Sequence, residues 1–528
     1  MGRYLGGLKA TSPTRVRAGT ILRVDDPNIV RVALVADTTK WEVDSIHVAR
    51  LSTGRTSYIL PLFIQTQDEK LVGTGLCCPM EAGAEPSLAE SGAVYTLDES
   101  GLAARLSGTL SGDGTGSKVV GIVAEGSSIA AIKFQVVRAP VLEEGMVVFS
   151  LIRGKKVYYQ ILDARTDEEN FQQNPFGVHI ASAAQLGCYD SKEGFQKFPW
   201  LPDMNQPLFL LSSEKGEAQE LAANEFVIGR VPSTPFGVTV VLDDLIEYHT
   251  AVLGVTGTGK TELTLDIIRN ALDRQTKVFC VDFTGEYKLR LADRNPKAIG
   301  LTIAQGSELE NHLFAVETGE FGAKKEKETL KKFVDGIKPQ VVAQIEGFLT
   351  DAKQELGVFE LAEITNTKAT LRTTELYLSA IMDWARRNRK AERILIVLEE
   401  AHTIIPEMFG SGFDAETQWV VGRIGQIALQ GRKYGVGLLL VSQRTALVSK
   451  TVLSQCNTFF THALIDKTSL DFLSGVYSAE HVRTLPNLRF LEFVAHGKAV
   501  KSERPLLARR DFDPEKLKQD QALNAKKA

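Results

Sequence analysis

Gly254-Val-Thr-Gly-Thr-Gly259-Lys260-Thr261 decides how the rest of this 528-residue sequence is read. The short apolar run Thr250-Ala-Val-Leu253 stands before it, and Glu262-Leu-Thr-Leu-Asp-Ile-Ile268, with helical periodicity, comes after it. A glycine-rich turn between a strand and a helix converges its backbone N–H groups and the positive end of the helix dipole on one point, where phosphates can sit. Glycines 254, 257 and 259 permit a tight turn and a close backbone approach that a side chain would block. Lys260 is placed to reach the β- and γ-phosphates of ATP, and Thr261 to offer its hydroxyl to Mg²⁺. Val255, Thr256 and Thr258 fill the loop, and Glu262 ends the expected nucleotide-binding stretch. The pattern predicts a P-loop NTPase.

Outward from the loop, further strands end in polar groups. Lys277-Val-Phe-Cys-Val-Asp282 ends at an acid and continues Phe-Thr-Gly-Glu286-Tyr287. Arg393-Ile-Leu-Ile-Val-Leu398, apolar after its first residue, runs into Glu399-Glu400-Ala-His402 and is the stronger candidate for the second nucleotide motif. There Glu399 takes the metal role and Glu400 the role of polarising the attacking water. His402 reads equally as a capping or packing residue and as a chemical one. Val436-Gly-Leu-Leu-Leu-Val441 ends Ser442-Gln443-Arg444, which places Gln443 to sense the γ-phosphate. Arg423 and Arg432, between these last two strands, are either arginine fingers reaching a neighbouring subunit's site or surface arginines in salt bridges.

The wider chain fits an α/β protein of more than one domain. Its apolar fraction is 44% and its charged fraction 24%, ordinary values for a soluble globular protein, and its formal net charge is −4. No global pull toward nucleic acid arises from that charge, so DNA binding would need cations concentrated in a groove or pore. Five scattered cysteines, without metal-type spacing, read as reduced thiols of a cytoplasmic protein. The first residues lack the apolar region of a secretory signal, and no apolar run approaches the roughly 20 residues that span a bilayer. Residues 1–165 alternate β-branched runs with turn signals, as a small barrel or sandwich does, and Ser111-Gly-Asp-Gly-Thr-Gly-Ser117 reads as a hairpin loop within it. Residues 166–235, with turns at Asn174-Pro-Phe-Gly177 and Pro199-Trp-Leu-Pro202, read as a connector. Residues 236–505 carry the alternation expected of a parallel sheet. A charged helical insertion occupies about 305–390, where Val341, Ile345, Phe348 and Leu349 share one helix face. Its lysine run from Lys324 is mixed with glutamates and reads as solvated. A polar tail covers 506–528, mobile or bracing a neighbouring subunit.

The order of motifs resembles the HerA/FtsK superfamily of hexameric DNA translocases, and HerA in particular. The resemblance runs over His249–Thr261, Asp282–Tyr287, Leu398–His402, Gly431-Arg-Lys-Tyr-Gly-Val-Gly437, Ser442–Arg444 and Leu453-Ser-Gln-Cys-Asn-Thr458. It implies a RecA-like P-loop ATPase core with a helical insertion, preceded by an amino-terminal β-barrel. It also implies a homohexamer that hydrolyses ATP with Mg²⁺ and threads double-stranded DNA through its central pore. Glu399 stands where many members carry Asp, and Leu485-Pro-Asn-Leu-Arg-Phe-Leu-Glu-Phe493 lacks a glycine often found there, so its turn is expected to differ.

Proteins of this kind act with a separate subunit on the barrel face, a NurA-like nuclease or, in antiphage defence, a sirtuin-like NAD-consuming effector. The resemblance implies one of two functions. One is an ATP-driven translocase in DNA end processing or defence; the other is a nucleotide-switched ring scaffold that regulates its effector without processive movement. A membrane-tethered secretion motor of related fold would need a spanning segment that the sequence does not show.

Overall fold

The computed structural model describes residues 16–511 apart from positions 26–27, 36–40, 43–44, 68–69, 80–87, 89, 98–105, 107–109, 112–116, 138–141, 168–177, 212–219, 284, 320–323, 361–365 and 408–414. The centre of the expected hairpin at 111–117, the Asn174–Gly177 turn and the tail beyond Asp511 lie outside the described residues. The chain divides into two compact units: residues 1–189 with 196–216, and residues 190–195 with 217–528.

The first unit contains a closed barrel and most of a second sheet, six strands of which close on themselves. Strands β1 (Val16–Asp25), β2 (Ile29–Leu34), β3 (Ile46–Arg50), β4 (Thr56–Gln67), β5 (Lys70–Pro79) and β6 (Ala93–Leu97) close in the order β1-β2-β5-β4-β3-β6. Val30, Val32, Ile59 and Val94 surround Trp41, whose indole N–H donates to the Thr74 carbonyl at 3.2 Å. Gly73 and Gly75 make room for that ring: a Cβ on Gly73 would stand 2.5 Å from the Trp41 indole. The second group is β7 (Val119–Val123), β8 (Ala131–Val136), β9 (Val147–Ile152), β10 (Lys155–Asp167), β11 (Val178–Asp190), β12 (Gly194–Gln196) and β13 (Pro207–Leu210). Its order is β10-β9-β13-β7-β8-β11-β12, and β10 also pairs with β11, so six of these strands form a ring. Much of the segment read as a connector is therefore strand. The core side of β11 is built from Ala181 and Ala183, whose small side chains give a sequence little apolar alternation to display.

The second unit is an α/β domain around an eleven-stranded sheet: β14 (Glu225–Arg230), β15 (Gly237–Val241), β16 (Thr250–Leu253), β17 (Lys277–Asp282), β18 (Lys297–Ile299), β19 (Leu356–Glu360), β20 (Ile394–Leu398), β21 (Val436–Ser442), β22 (Thr458–Thr461), β23 (Glu492–Gly497) and β24 (Leu506–Arg509). The order is β15-β14-β24-β23-β22-β16-β21-β20-β17-β19-β18. Seven strands from β22 to β18 run parallel, while β23, β24, β14 and β15 continue the sheet antiparallel. Every residue of β20 is fully buried, as a strand covered on both faces requires.

The helical insertion has helices at Ile303–Thr318, Lys324–Leu349 and Thr367–Arg387, and it also contributes β19 to the sheet. Val341, Ile345, Phe348 and Leu349 are all buried, and Lys324, Lys325 and Lys327 face solvent. The buried Lys277 ammonium donates to the Asp351 and Gln354 carbonyls at 2.6 and 2.8 Å. It thereby anchors the turn after the 26-residue helix to the start of β17. Residues Leu506–Arg509, expected within a tail, pair with β23 and β14. Among the described residues no helix is long and apolar enough to cross a membrane.

Candidate nucleotide site

The carboxyl ends of β16, β21 and β20 lie side by side in the sheet, so the loops that leave these three strands meet one another. Residues 254–259 leave β16 and deliver the chain into the helix Lys260–Leu272. Gly257 and Gly259 adopt φ of 78° and 110°. A Cβ on Gly254 would stand 2.6 Å from the Cβ of His462, and one on Gly259 would stand 2.8 Å from Leu491. The loop is thus gripped from behind as well as bent. Lys260 is 7% exposed, and its ammonium donates to the Val255 carbonyl at 2.9 Å, as the Thr258 hydroxyl does at 2.8 Å. Burial lowers the Lys260 pKa, and the charges of Glu399 and Glu400 oppose that fall.

Glu399 and Glu400 come directly after β20. Glu399 is 6% exposed and accepts a hydrogen bond from the buried Tyr287 hydroxyl. Burial lifts its carboxyl to about 7; the Tyr287 bond and Lys260 pull down, while Glu400 and Asp282 push further up. Asp282 has a different task. Its carboxylate accepts from the Gly285 and Tyr287 backbone N–H groups at 3.0 and 2.9 Å, which holds the turn that brings Tyr287 beneath Glu399. Glu400 sits at φ 49° and accepts from the Gln443 amide. His402 Nδ1 lies 3.2 Å from Glu400 and 3.3 Å from the Ser442 hydroxyl, at the end of β21. Gln443 also accepts from the Thr256 hydroxyl, so one amide links the P-loop to Glu400.

Three carboxylates and one buried ammonium share this site, leaving surplus negative charge where Glu399 meets Lys260. Such a donor set fits a hard divalent cation such as Mg²⁺, which prefers carboxylate and hydroxyl oxygens. Without a cation, the Glu399 charge is a burden on folding. Its folded pKa lies above the unfolded value, so the group costs nothing below about pH 4.5 and costs progressively more until the pH passes about 7. Glu399→Gln is expected to stabilise the metal-free chain at pH 8 by up to about 3 kcal/mol, and not at pH 4. Denaturant midpoints at the two pH values measure this; equal shifts at both would contradict it.

The two arginines are not brought to this loop. Arg423 lies 3.4 Å from the nearly buried Glu375 and donates to Ser379 at 3.2 Å. Arg432 precedes β21, at the end of the sheet away from the P-loop, and lies 3.3 Å from Glu247. Glu262 pairs with Arg290 at 2.7 Å and lies 3.6 Å from Arg510, and Arg510 also donates to Asp266 one turn further along the P-loop helix.

Several residues around the loop are not legible in sequence. Tyr287 closes a motif whose spacing gives it no role. His462, fully buried and kept neutral by burial at a pKa of about 3, contacts Gly254 through its Cβ and the Glu492 carbonyl through Nδ1 at 2.9 Å. Leu491 adopts φ 67°, and its N–H donates to the Thr258 carbonyl at 3.0 Å. A buried leucine thus accepts a left-handed conformation that glycine adopts freely.

Residues 226–403 match the family model described as Helicase HerA, central domain. The DNA double-strand break repair helicase HerA of Pyrococcus furiosus is 33% identical over 111 residues, 20% of this chain and 19% of that protein. A probable helicase of Methanocaldococcus jannaschii is 27% identical over 186 residues, 33% of this chain and 34% of that protein. Among solved structures, VirB4 of Thermoanaerobacter pseudethanolicus is 13% identical, covers 56% of this chain and 99% of its own, and has a TM-score of 0.41. The chain thus spans from about a fifth to a third of the length of these curated relatives. With the P-loop, the two glutamates and Gln443 set at adjacent strand ends of one sheet, residues 226–403 are similar to the central domain of helicase HerA.

Proposed function

We propose that this chain is an ATPase that works as a homohexameric ring, moving duplex DNA through its pore at the expense of ATP. The observation that carries this reading is the convergence of Lys260, Glu400, Gln443 and Thr256 at three neighbouring strand ends. Lys260 holds the β- and γ-phosphates; Thr261 and Glu399 would hold the cation, which when bound neutralises phosphate charge. Glu400 orients and deprotonates the attacking water, and His402 keeps its carboxylate in place. Gln443, joined to both the P-loop and Glu400, senses whether a γ-phosphate is present. Arg432, at the opposite end of the sheet, supplies charge to the site of an adjoining subunit. A separate nuclease or NAD-consuming effector completes the machine, in end processing or defence.

The test combines particle mass with ATP turnover, measured with and without linear duplex DNA. The expected result is a particle of six chains whose turnover rises several-fold on DNA. A monomer without DNA stimulation would overturn the motor reading. A ring whose turnover ignores DNA would favour the nucleotide-switched scaffold instead.

A further inference from the structure

Arg432 is not a loose surface arginine. It lies over one aromatic ring, that of Tyr248, 4.1 Å from the centroid, and the Lys498 ammonium lies 4.0 Å from the same centroid. Both cations also donate to the Tyr248 hydroxyl, Arg432 at 2.9 Å and Lys498 at 2.8 Å. One tyrosine therefore fixes two positive groups through its ring and its oxygen together. The nearby acids are Glu247, 3.3 Å from Arg432, and Asp244, which feels both cations. Lys498 is fully exposed and has no carboxylate within ion-pair distance among the described residues.

This assembly sits where Tyr248 precedes β16, Arg432 precedes β21 and Lys498 comes after β23. All three positions lie at the amino end of the parallel strands. The P-loop and Gln443 lie at the carboxyl end, and β21 alone, at about 3.3 Å per residue, separates the two by roughly 20 Å. Arg432 therefore cannot reach its own chain's triphosphate. Arg423, the other candidate finger, is committed to the nearly buried Glu375, which also lies 3.2 Å from Arg372.

We infer that Tyr248 is a positioning residue that presents Arg432 and Lys498 as a paired cation clamp to the nucleotide phosphates bound by a second copy of this chain. The inference rests on the ATPase reading and adds two residues to it. Holding the guanidinium extended before the partner arrives removes part of the ordering cost of an exposed arginine, so the benefit falls on the transition state. Lys498 brings a second point charge to an anion that gains charge density at its leaving oxygen.

The experiment uses the full chain with ATP and compares Tyr248→Phe, Tyr248→Ala, Lys498→Ala and Arg432→Ala, each checked for an unchanged melting temperature. Tyr248→Phe keeps the ring and loses only the shared acceptor. It is expected to lower kcat three- to tenfold, with KM for ATP and the Kd of a fluorescent ATP analogue within twofold of the parent. Mixing Tyr248→Ala chains, whose own P-loop is intact, with Lys260→Ala chains, whose amino edge is intact, is expected to restore turnover well above either alone. Unchanged kcat in both Tyr248→Phe and Lys498→Ala would overturn the inference, as would a loss that mixing never relieves. If the parent chain turns over no ATP, the proposed ATPase function fails; nucleotide-dependent self-association, lost in Tyr248→Ala and kept in the parent, then decides the clamp by itself.

Discussion

Glu400→Gln is expected to lower ATP turnover at least a hundredfold while leaving nucleotide affinity within a few-fold of the parent. The substitution preserves volume, and a carboxamide can still accept from Gln443 and meet His402, so the surrounding bonds survive. The capacity to take a proton from water disappears, and a positioned general base contributes about 10² to 10⁴ in rate. The main chain supports the assignment: Glu400 holds φ 49°, a conformation that costs a non-glycine residue roughly 1–2 kcal/mol and aims its side chain back at Gln443. Phosphate release under saturating ATP, paired with binding of a fluorescent analogue, measures both quantities. Turnover within tenfold of the parent would remove Glu400 from the chemistry.

Lys260→Ala is expected to abolish measurable turnover and to weaken nucleotide binding by one to two orders of magnitude, since it deletes the one lysine charge set in the P-loop. The same substitution should not weaken the nucleotide-free chain. The Lys260 ammonium is buried, and burial lowers its pKa, so the charge is held there against its own preference for water. Its contact with the Val255 carbonyl offsets only part of that cost. A melting temperature equal to or above the parent's, beside lost ATP binding, is the expected pair of results. A collapse in stability would mean that Lys260 serves the fold first. Function and stability pull apart at this residue, as they do at Glu399.

The sequence shows the P-loop setting because its determinants are local: a strand, six loop residues and a helix read in order. The two glutamates and Gln443 are legible for a related reason, since each comes after an apolar strand whose carboxyl end must face the common crevice. Contacts that depend on long separations in the chain escape such a reading. Tyr287 meets Glu399 across 112 residues and Thr256 meets Gln443 across 187, and no spacing rule connects them. Leu491, just before β23, and His462, just after β22, grip the loop, and no spacing in the sequence marks either contact. The second barrel is hard to read for a different reason. Its closing strands, β10 and β11, pair along their length through two bulges, and each bulge inverts the alternation that marks a strand. The arginines show the limit from the other side: spacing marks Arg423 and Arg432 alike, but their neighbours set them apart.

The placement of β24 joins two distant parts of the domain. Within the sheet, β14 meets β24 at Arg230 and Arg509, and Val240 of β15 bridges Val500 just after β23. Arg510, the residue after β24, is also the one that binds Asp266 on the P-loop helix. A nascent chain still lacking residues 506–510 would carry every nucleotide motif and yet lack β24 and the Arg510 contacts to Glu262 and Asp266. The segment 506–510 thus ties the P-loop helix and the sheet together from a position that comes after every nucleotide motif in the chain.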